Sequence, residues 1–443
     1  MAVALVAAFL LLFRLGEPRA PIWDEAYYLT ATARYQAGTA QFASHPPLGL
    51  ILIMAGDTAW GTNRHVDQTA VAATKTIRAE QLPANYSYVG VRLASALVGC
   101  LDMVLFFLLM LRLSGSLSTG LLATGLMLFD PAMLVQFRAA QLDSFQVCFL
   151  LLALHSLIAA VRRPHWLAWF GFGLCVMLAA LVRANGLLIG LGGAAVVLYR
   201  LPALGWRRSA GHAAAGLAGG ATGLVAIALT CAALSARPPD LATDAGRKDA
   251  AFLSPTHRAA LESGRWTLPA YGALVADHAR FIAADLAGVP RHDPNGSTPL
   301  QWLAGGGAIA YRWTSSPEGR SYVALVPNRV AWCLSLLGVL VSLARLPRRM
   351  EAIPLALVVI WLSSLASMVV LQHTRVLYAY HHFIPLICGY ALGGQALRLK
   401  APPEGVVMLL QAALLAGFAL LVPFVYAQPV QPWRCQLAGL GPC

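Results

Sequence analysis

"LASALVGCLDMVLFFLLMLRL", residues 93–113, is a run of 21 positions broken by a single acid, Asp102, and one base, Arg112. A run of that length and apolarity matches the roughly 20 residues a helix needs to cross a bilayer. It is one of many. Residues 212–236, 331–344, 355–372 and 406–427 read the same way, and mean hydropathy over the 443 residues is +0.65. Charged residues make up 12% of the chain, against about a quarter in soluble domains. The expected fold class is therefore all-α and integral to a membrane. About eleven spans are expected, near 1–16, 88–111, 117–135, 141–160, 166–182, 184–200, 212–235, 328–345, 353–371, 380–397 and 405–426. The first run lacks a basic start and a small-residue cleavage site, so it reads as a span rather than a cleavable signal.

The net charge of +13 is a matter of topology, not of nucleic-acid binding. With the N-terminus inside, the cytoplasmic connections are Arg112–Ser118, "RRPH" (162–165), "RLPALGWRRSAGH" (200–212), "RLPRRME" (345–351) and "LRLKAPPE" (397–404). All five carry Arg or Lys and together they hold only two acids, Glu351 and Glu404, as the positive-inside rule requires. The expected location is a plasma or bacterial inner membrane, with multiple passes. Two long segments, 16–88 and 236–327, then fall on the extracytoplasmic side, with 328–426 forming a C-terminal group of four spans and 427–443 an outer tail. In the first segment, "HPPLGLILIMAGDTAW" (45–60) reads as an interfacial helix, too short to span. Cys100, Cys148, Cys175, Cys231, Cys333 and Cys388 lie in apolar runs and suit packing. Cys435 and Cys443 share the outer tail, where a disulfide is compatible with the compartment.

This orientation gathers the ionisable residues near span ends onto one face. Asp24 and Glu25 follow the first span in "PIWDEAYYL" (21–29) and Arg92 opens the second. Arg138 and Asp143 flank a turn, Arg183 and Asn185 sit at another, and "HTRVLYAYHH" (373–382) joins two later spans. Charge at membrane depth is costly and marks function or a wet cavity. Arginines at headgroup level suit a phosphodiester, which guanidinium binds in a fork. A carboxylate opposite suits removal of a hydroxyl proton. Together they fit glycosyl transfer from a lipid-linked phosphosugar, and an anion transporter could use the same charges. Asp24 also has a bland reading as a helix N-cap, Arg92 and Arg138 as snorkelling span-end residues, and Asp143 as a structural partner of Arg138. No His, Cys or Glu cluster has metal-ligand spacing, so no tightly bound metal is expected.

The stretch "FRLGEPRAPIWDEAYYLTATARYQAGTAQFASHPPLG" (13–49) resembles the opening of the protein O-mannosyltransferases. "VGVRLASALVG" (89–99), "RAAQLDSFQVCFLLLAL" (138–154), "TPLQWLAGGGAIAYRW" (298–313), "ALVPNRVAWCLSLLGVL" (324–340) and "RVLYAYHHFIPLICGYAL" (375–392) are similar to later segments of that family, in the same order. The resemblance implies the GT-C architecture and an inverting transferase that moves mannose from a polyprenyl-phosphate carrier to Ser or Thr hydroxyls of extracytoplasmic proteins. It implies Asp24 as catalytic base, with Glu25 tuning it, and Arg92 as the essential second-span arginine. Arg138, Arg183, Arg375, Tyr378, His382 and His45 are the further candidates for the donor phosphate. The expected partners are the lipid-linked donor, a secreted or membrane protein acceptor and membrane lipids; pairing with a second copy is left open. Departures are present: Ala26, Tyr27 and Tyr28 follow the acidic pair where His and Phe are common, and Leu50 stands where Lys is usual. The second outer segment is also too short for a β-trefoil insert. A related transferase acting on a glycolipid or envelope polysaccharide is the alternative, with a lipid-linked sugar transporter behind it.

Overall fold

The computed structural model of the chain describes all residues except 318, 348, 400–402, 442 and 443, and the side chains of 316, 398 and 399 are likewise left aside. Arg348, Lys400 and Cys443, which figured in the loop and disulfide readings, lie outside the described residues. Cys435 is disulfide-bonded. Of the other cysteines, Cys333 is exposed rather than packed inside.

Helices occupy each interval expected of a span. Among the described residues, five are long and apolar enough to cross a bilayer, or six if one bent pair is a single span; the expected count of eleven goes beyond that. The bend lies between Leu117–Leu128 and Pro131–Arg138 and measures 65°. Its cause is local. Pro131 occupies the first turn of the second piece, where its missing N–H costs nothing, and Asp130 caps that turn by accepting from the Ala132 N–H. Asp130 also accepts from the Asn328 N–H at 3.0 Å and from the Trp332 indole at 2.7 Å, so the break is bound to the Arg329–Arg345 helix.

The connection expected at 200–212 is instead largely helical. The helix Ile189–Leu234 runs through it and is interrupted at Gly205, whose φ of 74° only glycine adopts freely. Its second arm lies along the Trp166–Val182 helix with backbones nearly touching. A Cβ built on Gly173 would sit 1.8 Å from the Gly216 carbonyl oxygen. Small residues give membrane helices this close approach, where dispersion contacts replace the hydrophobic effect as the driving force.

One apolar core runs through the helix bundle, and a second sits beneath the outer segments. The second core joins Tyr28, Leu29, Leu50, Ile53, Val71 and Tyr88 of the first segment to Leu142, Val182 and Ile227 at the helix ends. Helix Leu48–Trp60 is the expected short one, packed against Tyr88–Ser114. The second segment is more ordered than its Pro- and Gly-rich composition suggests. It forms helices Asp244–Ala250, Pro255–Ser263 and Leu268–Ala287, then antiparallel strands Ile309–Ser316 and Gly319–Leu325, joined by Pro429–Val430 of the tail. That small sheet is the departure from an all-α chain.

Candidate active site

Asp24 precedes helix Glu25–Gln36, yet its side chain makes no capping bond. It opens instead into a cavity of about 800 Å³, within the ~300–1,000 Å³ of small-molecule sites, whose lining includes His45, Arg183, Asp293, Arg375 and Tyr378. The Tyr28 hydroxyl donates to Asp24 Oδ2 at 3.4 Å. Burial pushes the Asp24 carboxyl up to about 6, against the opposing pull of the Arg183 charge. Trp23 holds a φ of 52°, unusual for a bulky residue, and its ring packs at 5.1 Å from Tyr311 and 5.3 Å from Tyr378.

Two guanidiniums line the same space. Arg183 donates to Asp143 Oδ2 at 3.1 Å and lies 5.2 Å from the Tyr380 ring. Asp143 is fixed in turn by Gln136 at 2.9 Å, and Gln136 accepts from the Tyr311 hydroxyl at 3.0 Å. Asn185 accepts from Gln146 at 2.8 Å, and the same Gln146 amide reaches the Arg183 carbonyl. Asp143 is therefore the partner of Arg183, not of Arg138. Among the described residues, neither Arg183 Nε nor Arg375 Nε has a hydrogen-bond partner. Both Nε atoms are themselves buried; it is the presence of two guanidiniums in the lining of one cavity that gives it a chemistry suited to an anion. Burial, reinforced by Arg183, holds His45 well below the usual histidine range and therefore neutral.

Four of the sequence candidates are placed elsewhere. Glu25 is fully buried, and its carboxylate accepts from the backbone of Ile22 at 2.8 Å and Ala140 at 2.7 Å. Arg92 closes on it with two 2.8 Å bonds, from Nε and Nη2. Its other three N–H groups go to the carbonyls of Leu15, Pro18 and Ala20. All five donors of a guanidinium are then spent, which leaves Arg92 nothing for a phosphate. Arg138 donates to the carbonyls of Phe13 and Arg14 and covers the Tyr426 ring at 4.3 Å. His382 is buried between Trp302 and Trp332, and its neighbour His381 lines the cavity. His381 packs 4.6 Å from the Tyr380 ring.

Asp285, Asp293, Tyr380 and His381 line the cavity without having been singled out. The two aspartates lie in a segment with no motif, and the sequence signal for His381 was the same as for His382. Among the described residues, no group of three or more His, Cys, Asp or Glu is arranged to hold a metal ion.

Residues 1–234, just over half the chain, match the family model described as dolichyl-phosphate-mannose-protein mannosyltransferase. The chain is 28% identical over 177 residues to protein O-mannosyl-transferase 1 of Danio rerio, covering 40% of this chain and 24% of that protein. The Rattus norvegicus protein of the same name is 28% identical over 166 residues, or 36% and 21% of the two chains. The matched stretch thus spans about a quarter of these relatives' length. In shape, the chain resembles the S. cerevisiae O-mannosyltransferase Pmt1-Pmt2 complex bound to the sugar donor, with a TM-score of 0.71, 13% identity and coverage of 99% and 91%. The archaeal oligosaccharyltransferase AglB of Archaeoglobus fulgidus gives 0.53 at 13% identity, with coverage of 98% and 56%. ArnT of Cupriavidus metallidurans bound to undecaprenyl phosphate gives 0.51 at 14%, with coverage of 95% and 63%. The GT-C fold expected from the sequence is therefore the fold of this chain.

Proposed function

Because this chain belongs to the dolichyl-phosphate-mannose-protein mannosyltransferase family, we propose that it transfers mannose from a polyprenyl-phosphate carrier to Ser or Thr hydroxyls of extracytoplasmic proteins. The observation that carries this reading is the cavity itself, whose lining brings the Asp24 carboxyl together with the guanidiniums of Arg183 and Arg375.

In the proposed reaction the acceptor hydroxyl donates its proton to Asp24 as its oxygen attacks the anomeric carbon. The bond from that carbon to the phosphate oxygen breaks with its electron pair, and configuration inverts. Charge grows on the departing phosphate, where Arg183 and Arg375 stabilise it before any solvent needs to reorganise. Neutral His45 adds hydrogen-bonding atoms without further positive charge. Glu25 and Arg92 brace the turn that carries Asp24 and touch neither substrate. The guanidiniums supply the charge that a metal would otherwise bring, so the transfer proceeds unchanged in EDTA. The cavity opens on the extracytoplasmic face of a plasma or inner membrane, with the N-terminus in the cytoplasm.

The test supplies the purified chain with polyprenyl-phosphate-mannose and a peptide bearing one Thr. The expected result is a gain of one hexose, lost in Asp24→Asn and in Arg183→Gln. Transfer to lipid with none to peptide would reassign the acceptor to a glycolipid. Undiminished transfer by Asp24→Asn would remove Asp24 from the chemistry.

A further inference from the structure

A second cavity, of about 490 Å³, adjoins the first. The two share Tyr27, Tyr28, Ser44, Ala284 and Asp285 in their linings, so a chain threaded past Asp24 continues into it. Its floor is aromatic. Phe42 and Phe281 stack at 5.7 Å with 21° between their planes, and Phe252 meets Phe281 edge-on at 4.9 Å.

The walls are built from both outer segments and held by charges that are already paired. Lys75 donates to the Phe42 carbonyl at 2.7 Å and pairs with Asp249, whose Oδ1 also accepts from the Phe42 N–H at 2.9 Å. Arg34 donates to Gln41 at 2.9 Å and to the Thr74 carbonyl at 2.6 Å. Lys248, on the rim, pairs with Asp244 at 2.9 Å. The cavity's three cations, Arg34, Lys75 and Lys248, are matched by Asp249 and Asp244 behind them and by Asp285 in the lining. Arg183 and Arg375 line the first cavity and not the second, which leaves the second to the acceptor rather than to the donor phosphate.

We propose that this second cavity is the side-chain subsite of the acceptor: it takes a large apolar residue, aromatic by preference, flanking the Ser or Thr whose hydroxyl meets Asp24, and it disfavours a basic one. The proposal rests on the protein-acceptor reading above. Apolar burial on the Phe floor supplies the attraction, and the desolvation cost of an ammonium on that floor supplies the rejection.

The experiment uses the full chain at saturating polyprenyl-phosphate-mannose and a set of peptides with one Thr. Phe, Ala or Lys is placed in turn at each of the two positions on either side of that Thr. At one position kcat/KM is expected to be about tenfold higher with Phe than with Ala, the scale of one partly buried side chain, and lowest with Lys. Phe252→Ala, which removes floor, and Ala251→Trp, which fills the cavity from an exposed position, each bring the Phe-to-Ala ratio towards one. The second variant keeps the test decisive if the first folds poorly. Equal kcat/KM at every position, or an unchanged ratio in both variants, overturns the subsite alone. A rise in donor KM with the peptide preference intact assigns the cavity to the donor and also overturns it. No hexose on any peptide overturns the protein-acceptor reading itself, and the subsite with it.

Discussion

Asp24 and Glu25 differ in role because successive side chains on a helix point about 100° apart. From one start of a helix, one carboxyl enters the cavity and the other enters the protein. Their chemistry follows. The proposed base, Asp24, would work only when ionised, and burial has raised it to about 6. Its protonated fraction therefore falls as pH rises, so kcat/KM is expected to climb through about pH 6 and then level. Asp24→Asn is expected to lower turnover by about 10²–10⁴, the usual weight of a general base. The stability sign is opposite. A carboxyl with a raised folded-state pKa favours the folded state below its unfolded value of 3.8, and that contribution is lost as pH rises through 6. Above pH 6, Asp24→Asn is accordingly expected to be more stable than the parent by on the order of 3 kcal/mol, read as a higher melting temperature by thermal denaturation in detergent. Arg92→Ala should do the reverse. It leaves Glu25 fully buried without its guanidinium partner, held only by the Ile22 and Ala140 N–H groups, a loss of about 3–5 kcal/mol; a pure donor-KM effect at unchanged stability would contradict the brace. The acidic pair and the arginines were legible in the sequence as residue types. Which arginine met which acid was not, because Arg92 and Glu25 are 67 positions apart and nothing local sets their pairing.

Between helices, the contact that hydropathy could not reveal is the glycine seam of Trp166–Val182 and the second arm of Ile189–Leu234. Gly173 faces the Gly216 carbonyl and Gly219 faces the Phe170 carbonyl, where added Cβ atoms would sit 1.8 and 2.0 Å from oxygen. Neither oxygen can swing aside as a side-chain tip could, since both belong to helical backbone. Gly173→Val is expected to force the helices apart and sharply reduce the folded fraction, seen as a lower melting temperature and loss of a single size-exclusion peak. Gly171→Ala is the control. Its Cβ would meet only Ser156 Oγ, at 3.4 Å, and should leave both readouts nearly unchanged. Span-by-span reading placed helices in the right intervals because lipid demands apolar length. It missed the 65° bend at Pro131, the helix continued to Gly205 and the small sheet. Those depend on caps, positive φ and pairing with the tail, which a window of hydropathy does not sample.

At the scale of the molecule, the two outer segments form one structure over the bundle. The Ala40 N–H donates to the Arg237 carbonyl at 2.8 Å, the Arg237 N–H donates to the Gly38 carbonyl at 2.9 Å, and the Val376 N–H reaches the Pro290 carbonyl at 2.9 Å. Asp249 of the second segment holds Phe42 and Lys75 of the first. The cavity with Asp24 lies beneath them, whereas Arg112, Arg162, Arg207 and Arg345 lie in or beside the opposite connections. This separation turns the positive-inside argument into an experiment. In a variant without its native cysteines, Ser263→Cys reports on the outer segments, and Ser118→Cys reports on the connection after Arg112. Both positions are exposed at helix ends, so neither substitution disturbs packing. A membrane-impermeant maleimide added to intact cells is expected to label Cys at 263 fully. Cys at 118 should label only after permeabilisation. The reverse pattern would place Asp24 in the cytoplasm, where a Ser or Thr of an exported chain does not meet it, and the proposed acceptor would fall with the orientation.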